Sequence, residues 1–289
     1  MLPGMAAKPA IAMVGAGNLG TALTWSLRSA GYTIEAVIAR PGSASRKKAR
    51  RLAREVGAQT IAGVPDKLRA EVIWFCVPDA NIKSVAESWG KKLNWEGRVA
   101  LHSSGALTSD KLAALRQRGA AVASVHPFMT FVRGSGPALE GVPFALEGDT
   151  RGTRVARRIV KDLGGRAFSI RKSDKAAYHA WGTFSSPLLV ALLETAEHVA
   201  ALAGVKPAEA RRRMIPILRQ TLANYAASDA AGAFSGPIIR GDFETVKRHL
   251  GVLQKSPIAI AVYRSLALAA ADYLPGKNKE TLKRQLKSH

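Results

Sequence analysis

The sequence predicts an α/β fold in which a doubly wound, mainly parallel sheet is followed by an all-helical domain. Three observations carry that expectation. Up to about residue 170, short apolar runs alternate with stretches of helical periodicity. Several of those runs are apolar almost throughout, as strands covered on both faces must be, and such strands belong to parallel sheets. Beyond Arg171 the strand signals stop and helical periodicity alone continues. The expected boundaries are a sheet domain at 8–170, a helical domain at 171–275 and a basic tail at 276–289.

In chain order, the predicted strands are Ile11–Val14, Ile34–Ala39, Val72–Val77, Val99–His102, Ala121–His126, Phe144–Glu147 and Ala167–Ile170. The helical stretches between them include Leu19–Ala30, Ser45–Val56 and Ser109–Arg118. In the second half, Ser173 as N-cap and Gly204 as stop bracket one long predicted helix. Further helices are expected over Pro207–Ala227, Asp242–Leu253 and Ser256–Tyr273, and the polar tail from Gly276 is expected to fray.

A chain of 289 residues is long enough for two domains. Its 47% hydrophobic and 22% charged residues are ordinary globular proportions, which excludes disordered and collagen-like classes. The single cysteine, Cys76, excludes an internal disulfide and a multi-cysteine zinc site, and reads as a small buried apolar residue. The longest apolar stretches, Pro187–Val205 and Pro257–Leu274, carry Glu194, Glu197 and His198 in one and Arg264 and Asp272 in the other. They read as packed amphipathic helices, not membrane spans. The start shows no leader pattern, so a cytoplasmic protein is expected. The net charge is +22, spread over several helices with few aromatics between them. That pattern reads as a solvated basic surface, with nucleic-acid binding the weaker reading.

Gly15-Ala16-Gly17-Asn18-Leu19-Gly20 follows the first predicted strand directly and opens the first helix. Gly15 permits the tight turn, Gly17 lets the backbone approach a pyrophosphate, and Gly20 lets helix and strand pack closely. Free N–H groups at the helix start attract phosphate. In this setting the motif marks dinucleotide binding by a Rossmann domain. The second strand ends in Arg40, with no carboxylate at its tip; Glu35 stands at the strand's other end. Arg40 with Ser43 suits a ribose 2′-phosphate, so NADP(H) is expected over NAD(H). Lys47 and Lys48 read as the exposed face of the next helix.

Ligands of a doubly wound sheet bind outside the C-terminal ends of its strands. Three tips carry chemistry. Cys76-Val77-Pro78-Asp79 must turn at Pro78, which sets Val77 and Pro78 beside the cofactor. His102-Ser103-Ser104-Gly105 offers an imidazole and two hydroxyls, with Ser103 toward the cofactor and Ser104 toward the reaction. His126-Pro127 ends the following strand. His126 and His102 are the candidates for acid–base work. No carboxylate accompanies the pair in sequence, so no metal is expected. His179, Thr183 and Ser186 share a helix face, which makes His179 and Thr183 candidate substrate contacts. Pro187 kinks that helix and frees the Thr183 carbonyl. Asp242 caps a later helix, and Arg240 beside it could grip a substrate carboxylate or phosphate.

In their order, the motifs GAGNLG, FCVPD, LHSSGAL, SVHPFMTF, YHAWGTFSSPLLVALLETAE and SGPIIRGD resemble a family of bacterial Rossmann-domain proteins whose C-terminal domain has no known function. That family is similar to pyrroline-5-carboxylate reductases and belongs to the wider 6-phosphogluconate dehydrogenase-like superfamily. The resemblance spans about residues 10–274. It implies an NADP-binding domain, a helical domain used for dimerisation and for closing the site, and a homodimer acting on a small-molecule substrate. Matched to it, Gly15, Gly17 and Gly20 form the cofactor loop with Asn18 and Leu19 between them. His102, Ser104, Gly105, His126, His179, Gly236, Pro237, Arg240 and Asp242 fall in its recurrent motifs. Pro187 stands where many members carry Asn, so an amide is missing from that helix face. The expected function is an NADP(H)-dependent oxidoreductase acting on a small polar imine or carbonyl. The alternatives are an NADPH sensor without turnover and, more distantly, a nucleic-acid-binding protein.

Overall fold

The nearly all-apolar runs become the centre of a single sheet. In a computed structural model that describes residues 7–287, the strands are β1 (Ile11–Val14), β2 (Ile34–Ala39), β3 (Gln59–Ala62), β4 (Val72–Phe75), β5 (Val99–His102), β6 (Ala121–Pro127), β7 (Pro143–Gly148) and β8 (Arg166–Ser169). Their order across the sheet is β3-β2-β1-β4-β5-β6-β7-β8. Pairing is parallel from β3 to β6; β7 runs antiparallel to β6, with Val125 opposite Leu146, and β8 pairs parallel to β7. The order reverses between β1 and β4, so a crevice opens at their C-terminal ends, where the glycine motif lies.

The helices on the sheet are α1 (Asn18–Ser29), α2 (Ser43–Val56), α3 (Asp79–Gly90), α4 (Ala113–Arg116) and α5 (Thr150–Asp162). Leu23 and Leu27 of α1, Leu52 of α2 and Ile159 of α5 pack with Ile11, Met13 and Trp74 on one face. Ile82 and Trp89 of α3 and Leu115 of α4 pack with Ala12, Ile73 and Phe75 on the other. Because successive strand residues point to opposite faces, each central strand feeds both cores and must be apolar throughout.

Three local expectations need correction. The strand β3 was not foreseen, because it is a short, largely exposed edge strand without an apolar run. The expected helix over Ser109–Arg118 is a 3₁₀ turn over Ser109–Leu112 followed by the single turn of α4. At its start, the Ser109 N–H and hydroxyl both bond to Glu147, at 2.6 and 2.8 Å. The strand expected to Val77 ends at Phe75; the Cys76 N–H still reaches the Val14 carbonyl at 2.8 Å before Pro78 turns the chain.

The chain divides into two compact units, one ending at Thr183 and the other beginning at Phe184. A 3₁₀ turn over Lys172–Asp174 leads into α6 (Lys175–Ser185), and α7 (Pro187–Leu202) follows. The single long helix expected from Ser173 to Gly204 is therefore two. Ser186 leaves helical geometry, with φ −135° and ψ −78°, and Pro187 starts the new helix. Proline crowds the residue before it and is well suited to a first turn. Ser173 lies inside the 3₁₀ turn and bonds to Asp174 rather than capping.

The second unit continues with α8 (Pro207–Ala227), α9 (Ala230–Ala233), α10 (Pro237–Arg240), α11 (Phe243–Leu253), α12 (Pro257–Tyr273) and α13 (Lys279–Lys287). Asp242 caps α11, accepting from the Thr245 N–H at 3.1 Å and hydroxyl at 2.8 Å. The described part of the tail does not fray: Leu282 and Leu286, one turn apart, are buried with Val246, Leu250, Ala267 and Ala271. No single helix among the described residues is long and apolar enough to cross a membrane.

Candidate functional site

The glycine motif performs three separate geometric tasks. Gly15 takes φ +106°, and a Cβ there would overlap the Cys76 carbonyl. A Cβ on Gly20 would overlap the Gly15 carbonyl, so α1 sits against the turn only because both lack side chains. A Cβ on Gly17 would meet nothing within 4 Å, so the turn faces open space at the N-terminus of α1. The Asn18 side chain is turned away, donating to the Phe131 carbonyl at 3.2 Å.

From this turn a cavity of about 400 Å³ runs to the tip of β2, where Arg40, Pro41, Ser45 and Lys48 line it. None of its lining residues is acidic. Arg40 Nε donates to the Ser45 hydroxyl at 3.3 Å. Lys48 is exposed on α2, as expected, and also lines this cavity. The Ser43 side chain lies outside the described residues. A second cavity, about 280 Å³, is lined by Gly17 to Gly20, by Cys76 to Asp79, and by Ser103 and Ser104. Both cavities share Gly17, Cys76, Val77 and Pro78, so the lining residues run from the β2 tip past the glycine turn to the β5 tip. Open backbone at a helix start, flanked by cations and free of carboxylate at the β2 end, fits a dinucleotide carrying an additional phosphate. Burial pushes the Cys76 thiol up to about 12, which leaves it an inert lining atom.

At the β5 tip the two serines are structurally engaged. Ser103 Oγ accepts from the buried Trp74 indole at 2.8 Å. Ser104 Oγ donates to Asp79 Oδ2 at 2.7 Å and accepts from the Leu107 N–H at 2.9 Å. His102 is wholly buried, and both its nitrogens are occupied. Nδ1 accepts from the Ser104 N–H at 3.1 Å, which puts the ring proton on Nε2, where it is donated to the Thr108 carbonyl at 3.1 Å. Burial, and then the nearby Lys175 charge, hold His102 down at about 4.

His126, at the β6 tip, is half-buried and pairs with Tyr178 of α6: Nδ1 lies 2.7 Å from the Tyr178 hydroxyl, with the rings edge to face. Burial first, then Lys175 and His179, hold its pKa at about 4. His179 is exposed. Both imidazoles close on Gly105, where a Cβ would lie 2.8 Å from His126 Nε2 and 2.8 Å from His179 Cδ2. The Thr183 hydroxyl turns back to the His179 carbonyl at 2.9 Å. Arg240 ends α10 in the second unit and is exposed.

The sequence reading missed three members of this neighbourhood. Lys175 is 1% exposed, Tyr178 is buried against His126, and Glu147, in β7 opposite Ser124, is buried with its carboxylate on Ser109. The spacing of three between Lys175 and Tyr178 puts them on one helix face, the only signal available in the sequence.

Residues 5–127 match the family described as a Rossmann-like domain, and residues 142–270 match the family described as a domain of unknown function (DUF2520). No curated protein matches the sequence. Several solved structures share the fold. One is a candidate NADP oxidoreductase from Bacteroides fragilis, 19% identical over 91% of this chain and 97% of that one, with a TM-score of 0.75. Another is a protein from Thermotoga maritima, 25% identical over 96% and 98% of the two chains, with a TM-score of 0.70. A third is a pyrroline-5-carboxylate reductase from Coxiella burnetii, 15% identical over 98% of each chain, with a TM-score of 0.58. The chain joins a Rossmann-like domain to a C-terminal domain of the DUF2520 family.

Proposed function

We propose that the protein is an NADP(H)-dependent oxidoreductase that moves hydride to or from a small polar imine or carbonyl compound. The glycine turn carries this reading. Gly15 and Gly20 let α1 close on the strand tips, and Gly17 leaves bare backbone facing a cavity whose far wall bears Arg40 and Lys48. The N–H groups at the start of α1 would hold the pyrophosphate, and Arg40 and Lys48 the 2′-phosphate. Val77, Pro78 and Ser103 border the other end, beside Asp79 and Ser104. Bound NADPH supplies the hydride.

Of the two histidines expected to do acid–base work, His126 stays beside the reacting centre in this reading, as a hydrogen-bond donor. His102 does not, because both of its nitrogens serve the Ser104–Thr108 turn. In this reading the Tyr178 hydroxyl, 2.7 Å from His126 Nδ1, is the donor, and the imidazole proton sits on Nε2, beside Gly105 and His179. With a pKa near 4, His126 is uncharged at neutral pH and offers a hydrogen bond rather than an acidic proton. A ketone needs a proton with its hydride, whereas a protonated imine brings its own, so the site favours the imine. The Coxiella burnetii neighbour is named for pyrroline-5-carboxylate, a cyclic imine. Arg240 belongs to the other compact unit and has no part in this assignment. The same reading includes a homodimer through the helical unit, where Val190, Ile217, Tyr225 and Ile258 are 60–74% exposed.

The test is separate titration with NADPH and NADH, repeated with Arg40→Asp. The parent should prefer NADPH at least about tenfold, near 1.4 kcal/mol, and the variant should lose that preference. Equal affinity of the parent for both would defeat the NADP assignment, and no affinity for either would defeat the whole reading. Pro187, which offers no polar side chain, favours a second reading, an NADPH sensor without turnover. NADPH binding without turnover across a panel of cyclic imines and keto acids would support the sensor.

A further inference from the structure

A buried ammonium lies under the strand tips, and the reaction proposed above does not use it. Lys175, in the first turn of α6, is 1% exposed. Its Nζ donates to the Ser104 carbonyl at 2.9 Å and to the Ser124 hydroxyl at 2.5 Å, and stands 3.9 Å from Glu147 Oε1. Ser124 donates to the same Ser104 carbonyl at 3.2 Å. Glu147 is the nearest buried counter-charge, but its two oxygens already accept from the Ser109 N–H and hydroxyl. A buried charge with so little compensation is costly, and it acts on its surroundings through a weakly screening medium.

We propose that Lys175 is a positioning residue of the hydride-transfer site: it pins the Ser103-Ser104-Gly105 corner between β5, β6 and α6. The inference rests on the oxidoreductase reading of the crevice. The corner has little freedom to move without consequence. The N–H of Ser104 is held by His102, its carbonyl by Lys175 and Ser124, and its hydroxyl by Asp79 and the Leu107 N–H. The next residue, Gly105, is already so close to His126 and His179 that a methyl group would not fit without displacing them. Releasing the Ser104 carbonyl would move backbone that both imidazoles approach at Gly105.

The electrostatics run in the same direction. Lys175 is the second cause, after burial, of the low pKa of both His126 and His102. Burial brings Lys175 itself down to about 8, against the opposing pull of Glu147 from β7 and Asp79 from α3. The remaining titratable neighbours are His179 and Tyr178 on α6, and burial holds the Tyr178 phenol protonated.

The experiment is an NMR titration of isotopically labelled histidine, with His126 identified by its loss in His126→Gln. It compares the unaltered protein with Lys175→Met/Glu147→Gln, which removes both buried charges at nearly constant volume. In the unaltered protein, His126 should titrate near 4 and its signals should move again near 8, as Lys175 gives up its proton. In the double variant the first midpoint should rise by about one unit toward the ordinary imidazole value, and the second step should vanish. NADPH affinity should stay within about twofold, because Arg40 and Lys48 are untouched, while turnover of 1-pyrroline should fall mainly in kcat. An unmoved His126 midpoint in a folded double variant overturns the proposal. If the variant does not fold, the absence of a second step near 8 in the unaltered protein does so. Failure of the unaltered protein to bind NADPH would instead defeat the oxidoreductase reading, which the histidine titration does not depend on.

Discussion

His102 and His126 end adjacent strands and look alike in sequence, yet their surroundings separate them. His102 is a bracket: removing it takes away the partner of the Ser104 N–H and leaves the Thr108 carbonyl only the Lys111 N–H. His102→Ala should therefore destabilise the protein by about 1–3 kcal/mol for the orphaned Ser104 N–H, read by denaturant unfolding. His126→Gln should leave the fold intact and lower turnover about 10²-fold, the cost of a displaced hydrogen-bond donor, with little change in NADPH affinity, read by steady-state kinetics and titration. Both imidazoles also set a pH dependence. Their folded pKa, about 4, lies below the ordinary 6.5. The unfolded chain therefore binds more protons between those values, and stability must rise with pH across that window. The stabilisation is complete above about pH 6.5 and is lost as pH falls toward 4; urea midpoints measured at intervals across this range should fall steadily with acid. None of this was legible at Lys175, because a lysine alone reads as surface and its partners Ser104 and Glu147 come from distant parts of the chain.

At the scale of elements, legibility followed burial. The central strands declared themselves because both faces are covered, and the glycine turn because each glycine answers a separate steric demand. The edge strand β3 did not, since nothing buried requires its residues to be apolar. The expected kink at Pro187 was a full break instead: Ser186 is not helical at all. The tail was misread for a different reason. Its many charges mask Leu282 and Leu286, which share one helix face and complete the small core of α11 and α12. Leu282→Ala or Leu286→Ala should cost about 2–5 kcal/mol in the helical unit, and a thermal melt should show a lowered midpoint.

For the whole molecule, the conspicuous quantity is the +22 charge. It covers exposed faces of α2, α5 and α8 and serves no single visible groove. Arg40 and Lys48 are the cations that line the cavity beside the glycine turn. A charge so distributed raises solubility and attracts polyanions weakly at low ionic strength. A duplex oligonucleotide should therefore show no saturable binding at about 0.15 M salt, where the screening length is about 8 Å. Saturable binding whose logarithm falls steeply with that of salt concentration would restore the nucleic-acid reading.

The sheet's two margins have a consequence for assembly. A margin is a row of amides awaiting a partner, and long greasy rows invite foreign chains. Here each row is four residues long, Gln59–Ala62 on one side and Arg166–Ser169 on the other, with polar residues facing water at both. Ribbon-to-ribbon growth between copies finds little purchase at either rim, so the homodimer proposed above would have to be built from helical surfaces.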